Sequence, residues 1–268
     1  TTTGSAYSSE LSSDGQYLVF ATDQALVPSD TNGKSDIYRR KISDGTLDLI
    51  SQNNLGDAGD NNSYQASISG DGKWVAFSST ASDLVVGYVK NNSPSDADIF
   101  VRDMSIGKNR LVSSKFNSTL QGGDADSNSP DIAGTPNLLS DVQVAFSSYS
   151  GNLADNFVVD PDSNSSVYAK DMSGTASELI SRASGAAGVN ANSRAHDPSI
   201  SDDGNIVAFA TDSTNLGAPP DYYGVYTRNR TNFDTSLVSK KTVYAVQGVI
   251  SGDGNTVSWF EELSDSEG

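Results

Sequence analysis

The chain has 268 residues, a formal net charge of −17 and no cysteine. The lack of cysteine excludes disulfides, thiol catalysis and thiolate metal sites. The negative charge argues against nucleic-acid binding, because the phosphate backbone would be repelled. No run of about 18 apolar residues occurs, so we expect no insertion into a membrane. The abundance of Ser, Asn, Asp, Gly and Thr is typical of a loop-rich, extracellular, all-β module.

One strand–turn–strand pattern recurs along the chain, and every copy except the third has Asp-Gly at its turn. The copies occupy residues 12–21, 67–78, 142–147, 199–210 and 250–260. Asp-Gly favours a tight hairpin, because the turn needs a positive φ that glycine adopts freely. Repetition at this spacing predicts a repeat architecture.

The first unit has predicted strands at 8–13, 16–22, 36–42 and 47–51, here called A, B, C and D. Alternating apolar and polar residues support the third of these strands. Later units repeat the order, and no helix of useful length is predicted. The units span about residues 8–51, 65–114, 131–182, 198–239 and, with strands A and B only, 246–261.

Four-stranded antiparallel units in series predict an all-β fold, a β-propeller in which each unit is one blade. We expect a single domain over residues 1–268, with five blades and a short last blade. Two alternatives stay open. The chain could be part of a longer ring, or the same hairpins could form a sandwich.

The units share three sequence motifs in series, with variations and with only the first in the fifth unit: Ser/Asp-Gly-x-x-Val-Ala-Phe, then Asp-Ile-Tyr/Phe-x-x-Asp, then Leu-Ile/Val-Ser. They resemble the TolB-like (WD40-like) propeller repeats of bacterial periplasmic and large secreted or adhesin-type proteins. The resemblance covers four units and half of the fifth. It implies a binding role at the bacterial cell surface or in the periplasm, within a larger multidomain protein, and it assigns no residue a function.

Blade topology places the tight A–B and C–D turns at one face, here called the turn face. The long loops, such as 23–35, 52–64 and 80–97, lie at the opposite face, here called the loop face. Because scaffolded loops are where binding usually resides, we expect the ligand site at the loop face. The candidate ligand-binding residues are His196, Arg194, Tyr64, Tyr222 and Tyr223. Alternatively, His196 caps or packs a strand start and the tyrosines cover blade edges.

Oxygen-bearing side chains cluster in several loops, and compact oxygen sets suit calcium. The candidate calcium ligands are Asp30, Asn32, Asp36, Asp57, Asp60, Asp124 and Asp126, with a looser set at Asp160, Asp162 and Asn164. Each cluster can also be read as an ordinary Asx-rich turn. We expect at least one bound calcium ion.

Two functional classes and one structural role fit the sequence. The first is a calcium-assisted adhesion module that recognises a surface glycan or a peptide. The second is a polysaccharide hydrolase or lyase, which would need paired carboxylates at the mouth of the propeller. The chain has no Gly-x-Ser-x-Gly elbow and no glutamate in a long loop, so we expect no enzyme activity. The third is a structural spacer.

Overall fold

The computed structural model describes residues 5–155, 164–217, 222–239 and 244–262. Within these ranges the strands form five antiparallel sheets, each built from consecutive strands. Two short 3₁₀ helices, Leu139–Asp141 and Thr214–Leu216, lie in connections. No described helix has the length and apolar character needed to cross a membrane.

Each sheet is one blade of a propeller. Blade 1 contains β1 (Ala6–Leu11), β2 (Tyr17–Thr22), β3 (Asp36–Lys41) and β4 (Leu47–Leu49), and blade 2 contains β5 (Ser63–Ile68), β6 (Trp74–Ser79), β7 (Asp98–Asp103) and β8 (Lys108–Leu111). Blade 3 contains β9 (Ser127–Ile132), β10 (Gln143–Ser148), β11 (Ser166–Asp171) and β12 (Ser177–Leu179), and blade 4 contains β13 (Ala195–Ile200), β14 (Ile206–Thr211), β15 (Gly224–Asn229) and β16 (Asp234–Leu237). Blade 5 contains β17 (Tyr244–Ile250) and β18 (Val257–Glu262).

The A strands β1, β5, β9, β13 and β17 pack against one another in chain order and surround a central channel. Predicted strands A to D are present in four blades, and the fifth has strands A and B. The predicted propeller of four-stranded blades, with a short fifth blade, is therefore confirmed.

The A–B turns explain the repeated Ser-x-Asp-Gly sequence. In blade 1 the hydroxyl of Ser12 donates to Asp14 at 2.7 Å, and Asp14 accepts the amide of Gln16 at 2.9 Å. Gly15 has φ of +68°, a left-handed conformation that glycine adopts without steric cost. Blades 2, 4 and 5 repeat the serine–aspartate bond at Ser69–Asp71, Ser201–Asp203 and Ser251–Asp253.

An aromatic pair on strands B and C forms the centre of each complete blade. Directly opposite residues of an antiparallel pair share one face of the sheet, so their rings meet. The stacked pairs are Phe20–Tyr38, Phe77–Phe100, Phe146–Tyr168 and Phe209–Tyr226, with centroids 5.9 to 6.0 Å apart. Most of these rings are fully buried.

The serine that closes each Leu-Ile/Val-Ser motif ties strand D to strand C. Its hydroxyl accepts the amide of the second residue of strand C. The pairs are Ser51 with Ile37, Ser113 with Ile99, Ser181 with Val167 and Ser239 with Val225, at 2.9 to 3.1 Å. The motif is therefore a structural signature of the blade.

Blades 1 and 5 expose several large apolar side chains. Phe260 of β18 is 69% exposed and Val249 of β17 is 56% exposed, while Leu11 of β1 is also exposed. Among the described residues, neighbouring A strands pack closely from β1 through β17, but β1 and β17 do not pack closely against each other. The tight interface between neighbouring blades is thus not repeated between blades 5 and 1.

Candidate functional site

The central channel contains a cavity of about 740 Å³, here called the channel cavity. All five A strands contribute to its wall. The wall also includes Gly70, Gly134 and Gly252, which follow the A strands toward the Asp-Gly turns. The channel cavity therefore lies in the half of the channel nearest the turn face, away from the loop face where we expected the ligand.

A β-bulge interrupts every A strand at the same place. One residue there has a left-handed backbone with φ between 49° and 53°, an uncommon conformation for a residue with a side chain. The five residues are Ser8, Gln65, Ser129, Asp197 and Gln247. All five line the channel cavity, so the bulge shapes its wall in each blade.

In four of the five blades, the side chain two residues after the bulge joins neighbouring A strands. It accepts a hydrogen bond from the isoleucine amide of the next A strand. The pairs are Glu10 with Ile68 at 3.3 Å, Ser67 with Ile132 at 3.2 Å, Asp131 with Ile200 at 2.7 Å and Ser199 with Ile250 at 3.2 Å. We call these four bonds the A-strand ties. The fifth position is Val249, whose side chain cannot accept a hydrogen bond.

Two of the tie residues are carboxylic acids that share one serine. Ser67 Oγ lies 3.1 Å from Oδ1 of Asp131 and 3.4 Å from Oε1 of Glu10. Burial, reinforced by the nearby charge of Asp131, raises the pKa of Glu10 to about 7. Burial also raises the pKa of Asp131. The wall of the channel cavity therefore holds a pair of carboxyl groups. One of them, Glu10, exchanges its proton near neutral pH.

Three of the five predicted ligand-binding residues meet at the start of blade 4. Nε2 of His196 is hydrogen-bonded to the hydroxyl of Tyr223, and Nδ1 lies 2.9 Å from Oδ2 of Asp197. The guanidinium of Arg194 lies 5.6 Å from the Tyr223 ring centre, a cation–π distance. Tyr223 is only 5% exposed, so Arg194 is the most accessible member of this cluster.

The other two predicted ligand-binding residues lie apart from that cluster. Tyr222 is 6% exposed, and its hydroxyl is 3.1 Å from Oγ of Ser239. Tyr64 of blade 2 occupies the position that His196 occupies in blade 4, directly before the bulge. Burial and the charge of Asp126 raise the pKa of Tyr64 to about 12. Tyr7, at the same position in blade 1, is exposed and was not among the predicted residues.

The predicted calcium ligands of blade 1 form a cluster whose oxygens have partners in the protein. Asp36 accepts hydrogen bonds from Ser51 at 2.5 Å and from Asn32 at 2.8 Å. Asp30 accepts the hydroxyl of Tyr38. Burial raises the pKa of Asp36 to about 6. A cation that joined Asp30 and Asp36 would compete with these donors for the carboxylate oxygens.

The other predicted calcium ligands link loops of neighbouring strands. Asp60 accepts the amide of Ser82 at 2.7 Å, Asp124 accepts the amide of Gly151 at 2.9 Å, and Asp126 accepts the amide of Ala97 at 2.7 Å. Asp57 is exposed. Asp160 and Asp162 fall outside the described residues. Within the described ranges, no three His, Asp or Glu side chains converge as a metal site would require.

Sequence reasoning missed the channel carboxyl groups Glu10 and Asp131. Glu10, Ser67, Ser199 and Val249 each precede the turn aspartate by the same number of residues. Aligning the repeats on that aspartate would have shown two serines and one glutamate, three hydrogen-bond acceptors, at a single strand position. Asp131 was harder to find, because its blade has lost the Asp-Gly turn.

No family model and no curated protein matches the sequence. Two TolB proteins are among the solved structures that share its architecture. TolB from Acinetobacter baumannii matches 96% of this chain with a TM-score of 0.52 at 15% identity, and the chain spans 54% of that protein, about half its length. A putative TolB from Agrobacterium tumefaciens matches 100% of this chain with a TM-score of 0.55 at 14% identity, over 73% of its own length. The predicted likeness to TolB-like repeats is thus confirmed at the level of the fold, which this chain shares with both TolB structures.

Proposed function

We propose that this chain is a binding module that recognises a peptide on another molecule. The alternative ligand is a glycan. We place it in the bacterial periplasm or at the cell surface, as part of a larger multidomain protein. The observation that carries this proposal is the channel cavity with Glu10 and Asp131 in its wall. A volume of about 740 Å³ lies within the usual range of ligand pockets.

The chemistry of the channel cavity favours a cationic ligand group. Two carboxyl groups sharing Ser67 attract an ammonium or guanidinium group, and its binding would favour the ionised form of Glu10. The net charge of −17 would draw such a ligand toward the protein from a distance. A lysine side chain, an arginine side chain or a peptide amino terminus meets these requirements, whereas a neutral sugar uses only the hydrogen bonds.

A display of short peptides and a glycan array, both probed with the purified chain, test this proposal. We expect retention of cationic peptides and a roughly tenfold or greater loss of affinity for the Glu10→Gln variant. Asp23→Asn is the matched control, because Asp23 is exposed in a B–C loop away from the channel cavity. Retention of no peptide and no glycan would contradict a binding role and favour the spacer role.

The same screen separates the channel cavity from the loop face. Arg194→Ala and Tyr64→Ala change the loop face and leave the wall of the channel cavity intact. If these variants abolish retention and Glu10→Gln does not, the ligand binds at the loop face, as the lengths of its loops originally suggested. Calcium assistance remains part of the proposal, supported by the net charge and by the proximity of Asp30 to Asp36.

A second function, cleavage of a polysaccharide by a hydrolase or a lyase, is favoured by one observation. Glu10 and Asp131 are two carboxyl groups within reach of one serine, and Glu10 has a pKa of about 7. A raised pKa suits a general acid. Turnover of any member of a polysaccharide panel, removed by Glu10→Gln, would support this function. Turnover that survives the substitution would exclude Glu10 as its acid.

A further inference from the structure

A second cavity, of about 420 Å³, lies between blades 2 and 3, and we call it the inter-blade cavity. Strand β8 of blade 2 and strand β11 of blade 3 contribute to its wall. Its apolar wall includes Val85, Leu120, Leu139 and Met172. It shares no lining residue with the channel cavity, so it is an independent feature of the molecule.

A buried lysine lies in the wall of the inter-blade cavity. Lys170 is 2% exposed, and its ammonium donates to Oγ of Ser114 at 3.4 Å, near the upper limit for a hydrogen bond. No carboxylate forms an ion pair with Lys170 among the described residues. An ammonium group has three donors, and burial without partners is costly. Burial lowers the pKa of Lys170 to about 8, which leaves it mostly charged at pH 7.

The other three complete blades carry an arginine at this strand position. The fifth residue of strand C is Arg40, Arg102, Lys170 and Arg228 in blades 1 to 4. In blade 4 the longer side chain of Arg228 reaches across the blade junction and donates to the carbonyls of Ala183 and Gly185. Lys170 is the one lysine of this set, and its one hydrogen bond among the described residues is long, which leaves donors available beside an open cavity.

Two further cations lie in the wall of the inter-blade cavity. Lys108 and Arg110 of β8 are both exposed, and together with Lys170 they make the cavity positive. This local excess is unusual in a chain with 17 basic and 34 acidic residues. An anionic ligand is therefore favoured at this place although the whole protein repels anions.

We propose that the inter-blade cavity binds a small carboxylate with an apolar tail. The carboxylate accepts hydrogen bonds from the ammonium of Lys170, and the tail packs against Leu120, Leu139 and Met172. A charge-assisted bond replaces the long contact with Ser114, and burial of the tail supplies the remaining affinity. The proposal does not depend on the function of the channel cavity.

Calorimetric titration with hexanoate and with the neutral analogue hexanamide tests the proposal on the purified chain. We expect saturable hexanoate binding with one site, and hexanamide binding weaker by roughly 10- to 100-fold. Lys170→Met keeps the length of the side chain and removes its charge, so hexanoate affinity should fall by roughly the same factor.

Two further variants separate the site from general effects on folding. Leu120→Trp fills the apolar part of the cavity without removing Lys170 and should also weaken hexanoate binding, whereas Lys34→Met, an exposed lysine elsewhere, should leave it unchanged. Melting curves establish that each variant is folded. Equal hexanoate binding by Lys170→Met and the unaltered chain, or absence of saturable binding to the unaltered chain, would overturn the proposal.

Discussion

The amide of Ile200 donates to Oδ2 of Asp131 at 2.7 Å, and this bond joins the A strands of blades 4 and 3. It is the shortest of the four A-strand ties, and its acceptor is a carboxyl oxygen. Asp131 also accepts the hydroxyl of Ser67 at 3.1 Å. One carboxylate thus fixes the spacing of three A strands around the channel, which makes it a structural group as well as a candidate ligand group.

We expect Asp131→Ala to lower the free energy of unfolding by about 2 to 4 kcal/mol, because a buried amide and at least one hydroxyl lose their acceptor. Urea denaturation followed by circular dichroism measures this change. Val249→Ala is the matched control at the same strand position in blade 5, where no tie exists and the side chain is exposed. It should cost about 0.5 kcal/mol or less. Equal losses for the two variants would contradict the role of the A-strand ties.

Glu10→Gln should change the pH dependence of stability. The pKa of Glu10 is about 7 in the folded chain against 4.5 for a free side chain, so the unfolded chain ionises first as pH rises. The folded state therefore loses stability between pH 4.5 and 7, by at most about 3 kcal/mol. Gln does not titrate, so the variant should gain stability relative to the unaltered chain across this interval.

Urea midpoints measured at pH 4, 5.5 and 8 test the sign of this effect. Below pH 4.5 both states of the unaltered chain carry a protonated Glu10, so this range serves as the internal reference. The advantage of Glu10→Gln should be largest at pH 8. A stability difference that is constant across the three values would show that burial does not perturb Glu10.

The fold could be predicted because its signals are local. Asp-Gly turns, alternating strands and the closing serine each act within one blade, and the repeat shows them several times. Ser113, for example, contacts Ile99 only fourteen positions away in the chain. Four-stranded order and the short last blade follow directly from such local patterns.

The channel site could not be predicted in the same way, because it depends on contacts between blades. Glu10 and Asp131 are separated by more than a hundred residues and meet only when the A strands surround the channel. The loop acids were visible in sequence, yet several of them accept backbone amides. Asp60, for example, accepts the amide of Ser82, an interaction that composition cannot distinguish from metal binding.

Ser113→Ala should destabilise the chain more than Ser181→Ala. Both hydroxyls accept an amide of strand C, but Ser113 also donates to the carboxylate of Asp98 at 2.6 Å. Burial already raises the pKa of Asp98, and losing this donor would leave a buried carboxylate less satisfied. Bonds to charged groups contribute about 1.5 to 3 kcal/mol, against about 1 kcal/mol for neutral ones.

Thermal melts of the two serine variants at pH 7 measure the difference. Asp98→Asn provides a further comparison, because it keeps an acceptor for Ser113 and removes the buried charge. The double variant Ser113→Ala with Asp98→Asn should lose less stability than the sum of the single changes. Identical costs for Ser113→Ala and Ser181→Ala would show that the carboxylate adds nothing.

Calcium is the last testable expectation, and it centres on Asp30 and Asp36. If the ion binds there, it replaces the hydroxyl of Tyr38 and the amide of Asn32 as partners of the two carboxylates. Burial disfavours the charged form of Asp36 and raises its pKa to about 6. A bound calcium ion would compensate that charge, and this compensation is the source of the added stability. At calcium concentrations about 100 times the dissociation constant, linkage predicts roughly 2.7 kcal/mol of added stability.

Melting of chelator-treated protein with added calcium measures this gain as a rise of about 5 °C or more. Asp36→Asn should abolish the rise, whereas Asp57→Asn, at an exposed residue, should preserve it if blade 1 holds the ion. Magnesium at the same concentration controls for ionic strength, since it accepts such flexible oxygen sets less readily than calcium does. An unchanged melting temperature in millimolar calcium would contradict calcium binding. Asp30 and Asp36 would then have a structural role only, through the hydrogen bonds that they accept.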